Sequence, residues 1–237
     1  MFYPRFYFDP TYIFIIIGVL ICSVASVRVK STFSRFSGMR NHLGLTGAQA
    51  AERVLHGAGI YDVRIERTSG HLTDHYDPRN KVLRLSDSTY GQCSVAAVGV
   101  AAHECGHAIQ HAKGYAPLQF RSALVPIANF GSAISWPLIV LGLFISGKSS
   151  ILFINIGILA FSLAVLFQLV TLPVEYNASG RAVRILAETG MMQGEEIVAV
   201  KKVLNAAALT YVASAASAIL QLVRILVLTG GRRNDED

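Results

Sequence analysis

SALVPIANFGSAISWPLIVLGLFISG (residues 122–147) and SSILFINIGILAFSLAVLFQLVTLPV (residues 149–174) are two charge-free runs separated only by Lys148. A helix that crosses a bilayer needs about 20 predominantly apolar residues, with a range of roughly 17–25. Each run is long enough. The segment Ser146-Gly147-Lys148-Ser149-Ser150 is polar and short, so the pair reads as a transmembrane helical hairpin. Pro126 and Pro137 fall in the first arm, where neighbouring helices and local backbone adjustments tolerate a kink. A hairpin has a topological consequence. The chain leaves the membrane near residue 174 on the side where it entered near residue 122.

Two weaker apolar runs flank this pair. Thr11–Val27 is rich in isoleucine and bounded by Asp9 and Arg28. Only Arg5 precedes it as a basic residue and no small-x-small cleavage site follows, so it reads as a retained anchor rather than a cleaved leader. Val203–Val223 is rich in Ala and Ser, and Arg224 interrupts its continuation into Ile225-Leu226-Val227-Leu228. Ala213, Ala216 and Ser217 suit close approach to another helix. This run either spans the bilayer or packs on the rest of the chain, which gives three or four transmembrane helices. The tail Gly230–Asp237 is expected to fray.

Composition agrees. Hydrophobic residues make up 52% of the 237 and charged residues 15%, against about 25% charged in soluble domains. Mean hydropathy is +0.45. The net charge of +6 is spread without an aromatic-interleaved basic patch, which argues against nucleic acid as a partner. It fits the cytoplasmic flanks of membrane helices. Cys22, Cys93 and Cys105 are odd in number and suggest no disulfide framework.

Between the first run and the hairpin lies a polar segment. Thr46-Gly47-Ala48-Gln49 reads as a capping box for a helix through Leu55, ended by Gly57 and Gly59. Asp62–Glu66 and Lys81–Ser86 alternate like strands, the second after the turn Asp77-Pro78-Arg79-Asn80. The Lys81–Ser86 strand reads either as an edge for an extended substrate or as a purely structural strand.

The next helix, Ser94 to Ala112, carries His103-Glu104-Cys105-Gly106-His107, an H-E-x-x-H match. Residues four apart share one helix face, so both imidazoles reach one zinc ion. Glu104 lies close enough to act as general base on a water whose pKa the zinc lowers to about 7. Gly106 costs about 1 kcal/mol in helix propensity, and close backbone approach is one reason to keep it. A catalytic zinc needs a third protein ligand. His111 is eight residues beyond His103, about 12 Å along one helix, too far to share the ion. Glu175 is the first charge after the hairpin, and the hairpin returns it to the face that holds His103 and His107. The many Arg and Lys of the 31–118 segment place that face in the cytoplasm. Pro173 suits the start of a new helix. For the oxyanion, Tyr176, Tyr211, His111 and Arg184 are candidates. His71, Asp74, His75 and Asp77 read either as a second metal site or as turn chemistry.

The runs His103–Ala108, Leu172–Ser179 and Gly70–Pro78 together resemble the YugP-like family of membrane neutral zinc metallopeptidases of bacteria. The likeness covers nearly the whole chain, with a more distant one to HtpX-type and CAAX-prenyl-type membrane proteases. It implies a gluzincin site: zinc on His103, His107 and Glu175, with Glu104 as base. In the HtpX-type relatives the third-ligand helix reads E-x-x-A-D. Here Ser179 replaces that final Asp, which puts in question the hydrogen bond that orients a ligand histidine.

The expected protein is therefore a mainly α integral membrane protein with a small zincin-like α+β catalytic domain. Residues 1–30 form the anchor, 31–118 the cytoplasmic domain with the H-E-x-x-H helix, and 119–173 the hairpin. Residues 174–237 hold the third-ligand helix and the last apolar helix. The expected function is zinc-dependent hydrolysis of peptide or membrane-protein substrates at the cell membrane, with a role in membrane protein quality control. One Zn2+ ion is the cofactor and the bilayer the partner. An inactive zinc-binding scaffold is the alternative. A transporter or channel would place charges inside the membrane, and the three strongest apolar runs carry none.

Overall fold

The computed structural model describes residues 9–145 and 147–233. Six helices and three short strands follow in order: α1 (Tyr12–Ser37), α2 (Gly47–Gly57), β1 (Arg64–Thr68), β2 (His75–Asp77), β3 (Val82–Ser86), α3 (Val95–Ala112), α4 (Ala116–Phe144), α5 (Lys148–Glu188) and α6 (Glu195–Arg233). The helices α1, α4, α5 and α6 are each long and apolar enough to cross a membrane. The fourth apolar run is thus part of a candidate span. Residues 230–233 continue α6 instead of fraying, and residues 234–237 lie outside the described residues, as do Arg5 and Ser146.

The chain divides into two compact units. One comprises the residues up to Val24, Ala123–Leu169 and the residues from Val212 onward. The other comprises Ala25–Ser122 and Val170–Tyr211. In the first unit the two hairpin arms meet at glycines. A Cβ on Gly131 would stand 2.7 Å from the Ala160 carbonyl oxygen, and one on Gly157 would stand 2.9 Å from that of Ser135. Small residues of this kind let membrane helices approach backbone to backbone. Ile139, Phe161, Val165 and Ile225 are buried together beside this contact. Arg224 is satisfied within the unit: it pairs with Asp9 at 3.5 Å, donates to Thr11 Oγ1 at 3.2 Å and lies 4.8 Å from the centre of the Tyr12 ring. The outward side chains are apolar, with Val24, Phe130 and Leu159 each about two-thirds exposed. Such a surface is unsuited to water and suited to lipid.

The second unit holds the polar segment. Thr46 caps α2 in the expected box with Gln49. The sheet order is β1-β3-β2, with β3 parallel to β1 and antiparallel to β2. β3 is therefore central, and the proposal that it offers an edge to substrate is overturned. The reason is its apolar content: Val82, Leu83 and Leu85 are fully buried, and a strand covered on both faces belongs in the middle of a sheet. Their neighbours in the core come from α2, α3 and the nearby segments of α5 and α6. The helix expected to start at Pro173 does not start there. Pro173 lies inside α5, a single helix of 41 residues, in keeping with the tolerance of membrane helices for proline.

Candidate metal centre

The α3 helix begins where Ser94 accepts a hydrogen bond from the Ala97 amide, and alanine-rich sequence carries it to Ala112. Gly106 sits where α3 meets α5. A Cβ there would stand 2.7 Å from the Ala178 carbonyl oxygen and 3.1 Å from the Ala178 Cα. The absent side chain lets the two helices touch, and this contact brings Glu175 over the histidines.

His103 and His107 lie one turn apart, with ring centres 4.9 Å apart. Nε2 of His103 stands 3.3 Å and Nε2 of His107 3.6 Å from Oε2 of Glu175. One donor atom from each of the three residues falls within 4.8 Å of the others, and among the described residues no other group of three such side chains does so. Glu175 is only 2% exposed, and its Oε2 has no hydrogen-bond partner. A buried carboxylate oxygen left unpaired is costly. Two donors each about 2 Å from a tetrahedral ion stand roughly 3.3 Å apart, close to the separations seen. The three side chains fit a divalent ion such as zinc, and the orphaned oxygen calls for one.

The histidines are also oriented from behind. Gln110 Nε2 donates to the Val174 carbonyl and to Asn177 Oδ1, both at 2.9 Å. A backbone carbonyl only accepts, so the amide orientation is fixed. Gln110 Oε1, 3.0 Å from His107 Nδ1, must then accept, which puts the proton on Nδ1 and leaves Nε2 free to bind metal. Ser179 Oγ lies 3.0 Å from His103 Nδ1 and fills the orienting position with a hydroxyl in place of a carboxylate. Glu175 and Ser179 share one face of α5 because they are four apart.

Electrostatics follow from burial and from Glu175. Burial disfavours the charged form of His107. The nearby Glu175 carboxylate and the charge of Glu104 more than offset this, and its pKa rises above the usual histidine value. Arg121 Nη1 lies 3.7 Å from Glu175 Oε1. Tyr211 interacts with Glu175, Glu104 and Arg121.

Other sequence candidates lie elsewhere. His111 Nδ1 meets the Tyr76 hydroxyl at 2.9 Å. Tyr176 is half exposed. Arg184 lines a different cavity, with Arg53, Lys113 and Arg181. The cluster around His71 is turn chemistry: Asp74 accepts from the Ser86 amide and hydroxyl, Asp77 accepts from Asn80 and Arg79, and His71 stacks edge-on against Phe33. Gln110 and Arg121 were not found from sequence. Gln110 had a signal, being a polar residue one turn beyond His107 on the same helix. Arg121 read only as the boundary of an apolar run.

A family model described as "Putative neutral zinc metallopeptidase" matches residues 11–230. The chain is 45% identical over 223 residues to "Putative membrane protease YugP" of Bacillus subtilis (strain 168), covering 93% of this chain and 98% of that protein. No solved structure matches.

Proposed function

We propose, on the premise that the chain belongs to the "Putative neutral zinc metallopeptidase" family, that it is a multi-pass membrane metalloendopeptidase of the gluzincin type. The carrying observation is the orphaned, buried Glu175 Oε2 facing two imidazole nitrogens. His103, His107 and Glu175 hold the zinc. A zinc ion there supplies Lewis acidity, which lowers the pKa of a water and polarises a carbonyl. Glu104 takes the proton from the attacking water and passes it to the leaving amine. Tyr211 donates to the oxygen that gains charge as the carbonyl is attacked. Gln110 and Ser179 hold the two imidazoles in the tautomer that binds metal. The site faces the cytoplasm, as the Arg and Lys content of the polar segment favours. Substrates are peptides or membrane proteins, and quality control is the fitting role.

The test begins with bound zinc, by elemental analysis of the detergent-solubilised chain. Near-stoichiometric zinc is expected in the parent and in His111→Ala, and little in Glu175→Ala. Glu104→Gln should keep zinc and lose peptide hydrolysis. Zinc that is indifferent to Glu175 sinks the ligand assignment. Zinc without hydrolysis in the parent favours the scaffold reading.

A further inference from the structure

A second cleft lies away from the metal centre, between the C-terminal half of α1 and the first half of α6. It has a volume of about 300 Å3, at the lower end of the roughly 300–1,000 Å3 typical of ligand sites. Arg28 and Arg35 line it from α1, and Lys202 lines it from α6 above Ala206 and Leu209. A further hollow of about 580 Å3 shares Arg35, Phe36 and Lys202 and adds Glu195. Residues 28, 32, 35, 36 and 39 fall on one face of α1, and 202, 205, 206 and 209 on one face of α6. The two hollows thus form one groove with three cations and one acid.

The three cations are exposed. Among the described residues none of them forms an ion pair, and Arg35 rests over the Phe36 ring at 5.5 Å. Arg28 is the first charge after the apolar run of α1. At that end of the groove, beside Ala206, Leu209 is 36% exposed. The groove is therefore apolar where the helices enter the hydrophobic layer and cationic beyond it. A free phosphate would use the cations and leave Leu209 uncovered. A phospholipid uses both ends.

We infer that this groove binds an anionic phospholipid of the surrounding leaflet, its phosphate on Arg28, Arg35 and Lys202 and an acyl chain along Leu209 and Ala206. Basic pockets between membrane helices take anionic headgroups in this way. The site is independent of the peptidase reading, since none of its residues belongs to the metal centre.

The experiment uses the full chain in detergent, equilibrated with equal amounts of phosphatidylglycerol and phosphatidylcholine, with retained lipid read by native mass spectrometry. Phosphatidylglycerol should be retained preferentially. Each of Arg28→Gln, Arg35→Gln and Lys202→Gln should cut that preference roughly fivefold. Arg53→Gln with Arg184→Gln, at the other basic cavity, should leave it intact, and zinc content should be unchanged throughout. The single variants keep the test usable if a combined one fails to fold. Equal retention of both lipids, or a preference untouched by all three substitutions, overturns the proposal. So does displacement of the lipid by millimolar inorganic phosphate, which would mark a free-anion site. A dimer lost with the substitutions while no lipid is retained would make the groove a contact between copies, and the proposal fails.

Discussion

Gln110 Nε2 on α3 donates to the main-chain carbonyl of Val174 on α5 at 2.9 Å. This bond ties the two helices that supply the metal ligands and fixes the His107 tautomer in the same stroke. Gln110→Glu removes the donor and sets a carboxylate against a carbonyl. Loss of such an orienting partner weakens metal binding about 10–100-fold. Competition with a chelator of known affinity measures it. An unchanged zinc affinity would show that the Gln110 contacts do not tune the site.

Gly106→Ala pits two effects against each other. Alanine gains about 1 kcal/mol of helix propensity. Its Cβ would meet the Ala178 carbonyl oxygen at 2.7 Å, and overpacking costs typically about 1–3 kcal/mol. The obstacle is backbone on both helices, so overpacking wins. The variant should unfold at lower temperature in detergent and hold less zinc. A variant more stable than the parent would refute the close-contact account.

Tyr211→Phe should retain zinc and lose turnover. Removing one donor to a developing oxyanion lowers kcat by about 10²–10³-fold. The comparison of interest is kcat against zinc content. If both fall together, Tyr211 supports the site structurally and does not act in the reaction.

Cys105 lies between Glu104 and the helix contact at Gly106 and is fully buried. Burial pushes its thiol well above the ordinary range, and the Glu104 charge adds to this. The thiolate is the reactive form. Maleimide labelling at neutral pH, read by peptide mass spectrometry, should therefore modify Cys93 and spare Cys105 until the protein is denatured. Equal labelling of the two in the folded protein contradicts this placement.

Asp77 closes the β2–β3 turn, and the Asn80 side chain, with the backbone amides of Asn80 and Arg79, holds its pKa down at about 2. A carboxylate depressed in the folded state stabilises it above the unfolded pKa of about 3.9, and this stabilisation is lost as pH falls through the folded value. The turn should loosen between about pH 4 and pH 2. Hydrogen exchange at the Arg79 and Asn80 amides, corrected for intrinsic rates, should accelerate over that window. In Asp77→Asn the acid-dependent step should vanish.

Much of this was legible in the chain. The charge-free runs around Lys148 predict a hairpin because no loop survives in hydrocarbon, and α4 and α5 are its arms. The capping box at Thr46 and the helix from Ser94 rest on local hydrogen bonds that sequence spacing encodes. The four-residue spacing of His103 and His107 sets them on one face whatever surrounds them. Glu175 followed from topology, since a hairpin must return its end to the starting face.

Other features depend on partners far apart in sequence. The position of β3 in the sheet was misjudged because strand order depends on which apolar faces find cover, and alternation along one strand does not state it. Pro173 suits a helix start by local rules, yet α5 runs through it, as membrane helices tolerate. Gln110 and Arg121 acquired roles only when α5 came within reach of α3 and α4. The sequence alone determined the apolar hairpin and the paired histidines, because both follow from local length and periodicity. Only the tertiary structure decided which oxygen faces those histidines and which ring nitrogen of His107 carries the proton, because these depend on ångström-scale approach between segments that the chain keeps far apart.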